Sequence, residues 1–280
     1  MGEFVQKHKE PITNLNSILE IAKRAGIDHG DYGLVTWRGV MTKLLTTPFS
    51  PRDAWEITGC YRSGTIYLME KKRAEAMNNK VARCIYGGYK FEALCMVSPS
   101  EGKISMAKRQ SQIVNTNQEY NVLFKSVLGS HRLLLGAEID GLDEDGTTYI
   151  ELKTTAAIRN EGQRLRLFRD KMIKWWTQSF LAGVPAILIG YRDEKMHIER
   201  LEKIRTEEIP RIVRGKVHWD PNAILAFGEM LLSWLSEQIR CDEGSGDRPF
   251  ALRYDPLIGP FITLELQAVD FLPSSRCVKE

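Results

Sequence analysis

The chain has no apolar run long enough to cross a bilayer as a helix, which takes about 20 residues in succession. Its opening, Met-Gly-Glu-Phe-Val-Gln-Lys-His-Lys, does not read as a signal peptide, and Gly2 makes no myristoylation motif because position 6 is Gln rather than Ser or Thr. Cysteines are few: Cys60, Cys84, Cys95, Cys241 and Cys277 are scattered, odd in number and without metal-ligand spacing, which favours a reducing compartment. Neither a P-loop nor a dinucleotide glycine fingerprint occurs. His8, His29, His131, His197 and His218 are dispersed, and no Ser/His or Cys/His nucleophile set stands out; His131 reads as structural. No internal repeat or low-complexity linker divides the chain. The net charge of +3 and pI near 8.5 permit a nucleic-acid partner without demanding one. With 43% hydrophobic residues in 280, the chain can bury a large core in one domain or two.

Against these absences, one stretch concentrates charge where structure is expected. Leu133-Leu-Leu-Gly-Ala-Glu138-Ile-Asp140-Gly and Thr148-Tyr-Ile-Glu151-Leu-Lys153 read as two strands of a hairpin joined by an acidic, glycine-containing turn. Residues two apart on a strand share a face, so Glu138 pairs with Asp140 and Glu151 with Lys153. If Ile139, Ile150 and Leu152 enter the core, four ionisable groups converge on the other face. This is either a solvated hairpin with a charged outer side or a site for Mg²⁺, a hard ion that takes oxygen ligands. The spacing Asp140–x10–Glu151–x–Lys153 is that of the Asp…(Asp/Glu)-x-Lys nucleases, in which two carboxylates fix a metal beside a lysine.

The remaining segments surround this hairpin. Ser17 and Glu20 have capping-box spacing, Ile18, Leu19 and Ala22 form an apolar stripe, and Gly26 can end the helix. In Leu34-Val-Thr-Trp37-Arg38-Gly-Val-Met-Thr-Lys43, Arg38 and Lys43 can both clamp phosphate; Trp37 can stack on a base or fill the core. Ser50 to Asp53 suggests a short helix with Pro51 at its first position. The segment from Gly64 is strand-like, and Lys71 to Lys80 is polar and exposed. Glu92 lies in a run, Tyr86-Gly-Gly-Tyr-Lys-Phe-Glu92, that reads as a strand; a carboxylate there needs a partner or a metal. Residues 98–117 read as a loop or edge excursion, and a strand is expected from Tyr120 to Val127. After the hairpin, Arg159, Arg164, Arg166, Arg169, Lys171 and Lys174 form a basic run. A helix from Arg164 to Ala182 should turn Met172, Trp176 and Phe180 inward, with Lys171, Lys174, Trp175 and Gln178 on another face. A strand at Ala186 to Arg192, a long helix at Asn222 to Ile239, a surface turn at 242–247 and a late strand from Phe261 complete an α/β pattern.

The chemistry follows from these groups. A Mg²⁺ held by Asp140 and Glu151, with Glu92 or Glu138, would polarise a phosphoryl oxygen and activate a bound water, and a second ion is feasible. Lys153 would orient or deprotonate that water or stabilise growing negative charge, while Gln178 orients water or phosphate.

Thr36-Trp-Arg38-Gly, Gly88-Tyr-Lys-Phe-Glu92, Gly136-Ala-Glu138-Ile-Asp140, Glu151-Leu-Lys153-Thr and Lys174-Trp-Trp-Thr-Gln178 stand in this order, and in them the chain closely resembles the DXO family of RNA-decapping exoribonucleases and its fungal relatives. The resemblance covers most of the chain from about Leu34. It implies an α/β fold of mixed β-sheets flanked by helices around an Asp…Glu-x-Lys nuclease-like core, with 1–280 a single domain. It implies that Glu92, Glu138, Asp140, Glu151 and the carbonyl of Leu152 are metal ligands for Mg²⁺, with Mn²⁺ as substitute. Lys153, Gln178, Glu151 and Asp140 would be catalytic, and Arg38, Trp37, Glu92, Lys153 and Gln178 would contact substrate. The implied substrates are single-stranded RNA 5′ ends carrying incomplete guanosine or NAD caps, followed by 5′→3′ digestion of 5′-monophosphorylated RNA, with release of pyrophosphate from 5′-triphosphate RNA. A nuclear location, with cytoplasm second, a nuclear 5′→3′ exoribonuclease partner, no membrane association and a monomeric state are also implied. Relatives carry a longer segment before the Trp-Arg-Gly motif, so the N-terminal segment here is expected to be incomplete. Two other classes fit the residues: a catalytically silent scaffold for an exoribonuclease, and a DNA-directed metal nuclease.

Overall fold

The chain changes sheet at Ile139 and Asp140, and that crossing creates the site. The computed structural model describes residues 4–5, 13–71, 78–97, 105–117, 119–240 and 247–267. In chain order the elements begin β1 (Phe4–Val5), α1 (Asn16–Arg24), β2 (Leu34–Trp37), α2 (Arg38–Thr46), β3 (Trp55–Arg62) and β4 (Thr65–Lys71). They continue with α3 (Asn79–Cys95), α4 (Met106–Ser111), β5 (Val114–Asn115), β6 (Asn121–Leu128), β7 (His131–Glu138), β8 (Gly141–Leu142) and β9 (Tyr149–Ala156). The last third holds α5 (Glu161–Leu167), α6 (Ile173–Leu181), β10 (Ala186–Arg192), β11 (Ile198–Arg205), α7 (Ile209–Val213), α8 (Pro221–Arg240), β12 (Arg248–Tyr254) and β13 (Ile262–Leu266). The fold is mixed α/β, as expected.

Seven strands form one sheet in the order β13-β12-β3-β4-β2-β7-β6, and four form another in the order β11-β10-β9-β8. The segments read as one hairpin therefore belong to different sheets. β7 pairs with β2 and β6 through Glu138, whereas β9 runs parallel to β10, and only the two residues of β8 pair with its start. Ile139 is the hinge of this crossing: its N–H donates to the Tyr120 carbonyl at 2.9 Å and its side chain is buried with Ala182 and Val184. Glu138 and Asp140 thus do not share a strand face. Glu138 is exposed at the end of β7, and Asp140 is half-buried between the sheets' edges.

One large core joins the facing sides of the sheets. It gathers Leu34, Leu133 and Leu135 from the seven-stranded sheet, Ile187 and Ile189 from the other, and Met41, Leu44, Trp175 and Trp176 from α2 and α6 between them. The outer face of the large sheet is closed by α1, whose Ile18 packs with Val35 and Leu134. Gly136 allows that approach: a Cβ there would lie 2.5 Å from Ile18. The outer face of the small sheet is closed by α3, whose Phe91 packs on Ile150 and Leu152.

The run around Glu92 is therefore helical, not extended. Asn78 caps α3 by accepting from the Val81 N–H at 2.9 Å, and Phe91 and Cys95, four apart, bury one face. This packing overrides the strand-like reading of the paired glycines. Elsewhere, Ser50 to Asp53 closes a turn, with Asp53 N–H on the Ser50 carbonyl at 3.0 Å, rather than a helix. The helix expected over 164–182 is interrupted by a π segment at Phe168–Met172. Met172 and Trp176 are buried, but Phe180 is 48% exposed and stacks on Trp176. Within 98–117 the described part holds α4 and β5; positions 72–77, 98–104 and 242–246 lie outside the described residues.

Candidate active site

Strand alternation on β9 sends Ile150 and Leu152 toward α3 and turns Glu151 and Lys153 into the helical layer. Glu151 is 1% exposed, a depth at which a carboxylate must be paired. Two cations pair it. Arg38, the first residue of α2, donates from Nη1 to Glu151 Oε2 at 3.0 Å, and Lys153 Nζ donates to Oε1 at 2.5 Å. The second Arg38 nitrogen, Nη2, donates to the Glu138 carbonyl at 3.2 Å, so one guanidinium ties the end of β7, the start of α2 and the centre of β9. Burial works to raise the pKa of Glu151, but the charges of Lys153 and Arg38 outweigh it and hold the carboxyl below its ordinary value. For Lys153, burial works downward and is outweighed by Glu151 and Asp140, so the ammonium is held above its ordinary pKa. The Lys153 ammonium thus stands beside the carboxylates, where its charge is available to orient an anion or stabilise one.

Asp140 occupies the free edge that β8 leaves on β9. Its Oδ2 accepts from the Leu152 N–H at 2.6 Å, and the Leu152 carbonyl points to the same edge, because a strand residue turns both backbone groups one way. Burial, then the charge of Glu151, pushes Asp140 above its ordinary pKa against the pull of Lys153. Glu92 reaches the cluster from α3. Burial first, then Asp140, Glu138 and Glu151 against Lys153, pushes its pKa up to about 8. Four carboxylates from β7, the crossing, β9 and α3 thus share one field. Tyr89, one turn before Glu92, lies in it as well: burial, Glu138 and Glu92 push its phenol above the ordinary value. Sequence reasoning misses Tyr89 because an aromatic beside glycines carries no signal of its own.

Other expected groups fall differently. The Trp37 indole N–H donates to the Asn14 carbonyl at 2.8 Å and its half-buried ring packs against two core clusters, so it fastens the entry to α1. Arg38, expected on phosphate, is 8% exposed and engaged by Glu151. Gln178 is half-buried and lines a cleft of about 470 Å³ beside Gly39, Thr42, Lys43, Arg52 and Lys174, next to the helix turn that carries Arg38. The basic run is largely neutralised: Arg159 pairs with Glu199, Arg164 with Glu161, Arg169 with Asp170 and Lys174 with Asp53. His131 is structural, bonded to Ser233 at 3.0 Å.

A model of RAI1-like PD-(D/E)XK nucleases matches residues 1–275. The chain belongs to the RAI1/DXO family. Among relatives in this family, the decapping and exoribonuclease protein of Xenopus laevis is 36% identical over 227 residues, which are 76% of this chain and 55% of that protein. The decapping nuclease RAI1 of Aspergillus fumigatus is 32% identical over 286 residues, 93% of this chain and 76% of that one. The chain thus spans about half the length of the animal relatives and about three quarters of the fungal one. In fold, it matches the crystal structure of Scheffersomyces stipitis Rai1 with a TM-score of 0.82 at 24% identity, over 99% of this chain and 81% of that chain. S. pombe Rai1 in complex with 3′-FADP matches with a TM-score of 0.75 at 27% identity, over 95% and 80%.

RAI1/DXO membership raises the question of a metal, and the donor chemistry fits one. Clustered carboxylates that push each other's pKa upward are relieved by a hard divalent cation, and the available donors are all oxygen. Among the described residues, no three acidic, His or Cys groups surround a common point at ligand distance. The reason is visible: both Glu151 oxygens are held by Arg38 and Lys153, and Asp140 is held by the Leu152 N–H. Glu92, Asp140, Glu151 and the Leu152 carbonyl, with Glu138 beside them, would hold the ion. Bound there, a divalent cation lowers the pKa of water and polarises a phosphoryl oxygen. Lys153 would present a positive charge at the same locus, and Arg38 would hold Glu151 and the end of β7 in place beside it.

Proposed function

We propose that this protein is a divalent-metal-dependent hydrolase of RNA 5′ ends, which removes incomplete guanosine caps or NAD caps and then degrades the 5′-monophosphorylated strand in the 5′→3′ direction. The observation that carries the reading is the ion-paired group of Glu151 and Lys153 on β9 with Arg38 of α2, with Asp140 on the open edge of β9 and Glu92 sharing its field from α3. A site with one persistent ammonium, one guanidinium and a carboxylate cluster suits attack on phosphorus, where negative charge develops on oxygen. Support also comes from relatives of the same fold: Candida albicans Rai1 is known in complex with pU5-Mn²⁺, and S. stipitis Rai1 with (3′-NADP)⁺ and a calcium ion. Mg²⁺, with Mn²⁺ as substitute, is the cofactor of this reading, and release of pyrophosphate from 5′-triphosphate RNA is the same attack with the substrate shifted. The reading includes action on single-stranded RNA in the nucleus, alongside a 5′→3′ exoribonuclease.

The test is product analysis on guanosine-capped, NAD-capped, triphosphorylated and monophosphorylated RNAs, with duplex DNA as a further arm. Release of an intact cap from RNA, absent in a Glu151→Ala/Lys153→Ala variant, is the expected result. Cleavage of the DNA alone, or silence on every RNA, would overturn the reading.

A further inference from the structure

A second basic pocket lies at the far end of the two elements that build the site. α3 carries Glu92 near its C-terminal end and Arg83 and Cys84 near its start, while β9 carries Lys153 three residues before Ala156. Eight residues of helix rise about 12 Å and three of strand about 10 Å, so both elements lead from the carboxylates to the same place. There, Lys80, Arg83, Ala156, Arg159 and Arg192 line a cavity of about 950 Å³.

Arg192 gives the pocket its chemistry. Its Nη1 is buried and has no hydrogen-bond partner among the described residues. Its other nitrogens reach only sulfur: Nη2 donates to Cys84 Sγ at 3.1 Å and Nε to Met196 Sδ at 3.4 Å. Sulfur is a weak acceptor, so among the described residues this half-buried cation has no charged counterpart. Two acidic residues, Asp193 and Glu194, also line the rim, and neither is hydrogen-bonded to Arg192 among the described residues. Asp193 accepts from the His197 N–H at 2.8 Å and faces the His197 ring at 3.2 Å, and Arg159 is taken by Glu199. Lys171 lies near enough that burial and then the Arg192 charge depress its pKa, and its ammonium donates to a hydroxyl, that of Thr155, at 3.0 Å. The N-terminus of the 17-residue α3 opens at the same pocket and adds its positive dipole end.

Resting on the RNA reading above, we propose that this pocket is a phosphate subsite that holds the RNA backbone a few nucleotides downstream of the scissile bond. Arg192 and Arg83 supply the charge. A strand crossing α3 and β9 from the carboxylate cluster arrives at the Arg83 and Arg192 guanidiniums, and a backbone phosphate supplies the anionic acceptor that Arg192 does not find among the described residues. The subsite makes affinity depend on strand length.

The experiment measures binding of 5′-monophosphorylated oligouridylates of increasing length, from dinucleotide to hexanucleotide, with Ca²⁺ in place of Mg²⁺ to hold turnover. Wild type is compared with Arg83→Gln and with Arg192→Gln; Arg83→Gln lies on the pocket rim and keeps the test valid if Arg192→Gln fails to fold. Expected are tighter binding of the hexamer than of the dimer by wild type, and a weakening of about 5–10-fold on the hexamer alone in each folded variant. The slope of log affinity against log salt should fall by about 0.7 for each phosphate that is no longer neutralised. Length-dependent binding that is the same in the variants overturns the subsite and leaves the nuclease reading standing. Absence of RNA binding at every length in wild type overturns both.

Discussion

Two near-isosteric substitutions in the carboxylate cluster should shift stability in opposite directions. Glu151→Gln keeps the side-chain volume but removes the only carboxylate bonded to Arg38 and Lys153 among the described residues, whose side chains are 10% and 24% exposed. Removing one partner of a buried pair costs about 3–5 kcal/mol, and the access of Lys153 to water places this case at the lower end, about 3 kcal/mol. Unfolding entropy of about 2.1 cal/mol/K per residue gives about 0.6 kcal/mol/K for 280 residues, so Tm should fall by about 5 °C. Glu92→Gln acts the other way. Its carboxyl, with a pKa pushed up to about 8, is costly to ionise where it stands, and an amide has no charge to bury. With that pKa against about 4.5 for an ordinary glutamate, the gain at about pH 8.5 should be at most about 5 kcal/mol, a rise of up to about 8 °C. The assay is calorimetric melting in EDTA. Both variants moving in the same direction would refute the reasoning, because a cluster that is only mutually repulsive would be relieved by either change.

Proton linkage at Glu92 has a definite sign. With its folded pKa above the unfolded value of about 4.3, the folded chain keeps a proton that the unfolded chain has released, so metal-free stability falls as pH rises from about 5 to about 8. On the proposed reading a Mg²⁺ held by Glu92 would displace that proton, and the Mg²⁺-induced rise in Tm should therefore grow between about pH 6 and pH 8.5; equal shifts would contradict the assignment. Lys153→Met should lower kcat by about 10²–10³ while metal binding, read by calorimetry, persists, since the lysine contributes charge and not coordination. Trp37→Phe should cost about 1 kcal/mol for the missing bond to Asn14 and leave RNA affinity within about twofold, as measured by melting and by oligonucleotide titration. Gly136→Ala forces a Cβ against Ile18 and should cost about 1–3 kcal/mol by melting, with activity per folded molecule retained.

The parts of the site that are legible in the sequence are those carried by a single element. Glu151 and Lys153 share a face of β9 as period two requires, and β10 spans the expected residues. What sequence spacing does not show is which sheet each strand joins. The 133–140 stretch and the 149–153 stretch look like a hairpin because an acidic glycine turn lies between them, yet the pairing of β7 with β2 and of β9 with β10 separates them. Tertiary packing also decides Glu92, where Phe91 against Ile150 and Leu152 stabilises a helix that the local glycines disfavour. Strand β11 carries no usable pattern: Ile198–Arg205 is mostly exposed and charged, and its place is fixed by register with β10. The engagement of Arg38 by Glu151, 113 positions away, has no local signature at all.

The most direct test of the central claim is single-turnover digestion of a 3′-labelled, 5′-monophosphorylated RNA in Mg²⁺ by wild type, Glu151→Gln and Lys153→Met, each first shown by melting to be folded. The account predicts shortening from the 5′ end by wild type, none in EDTA, and a drop of at least about 10²-fold in both variants. Digestion by either variant at the wild-type rate, or an inert wild type with bound metal, would contradict it.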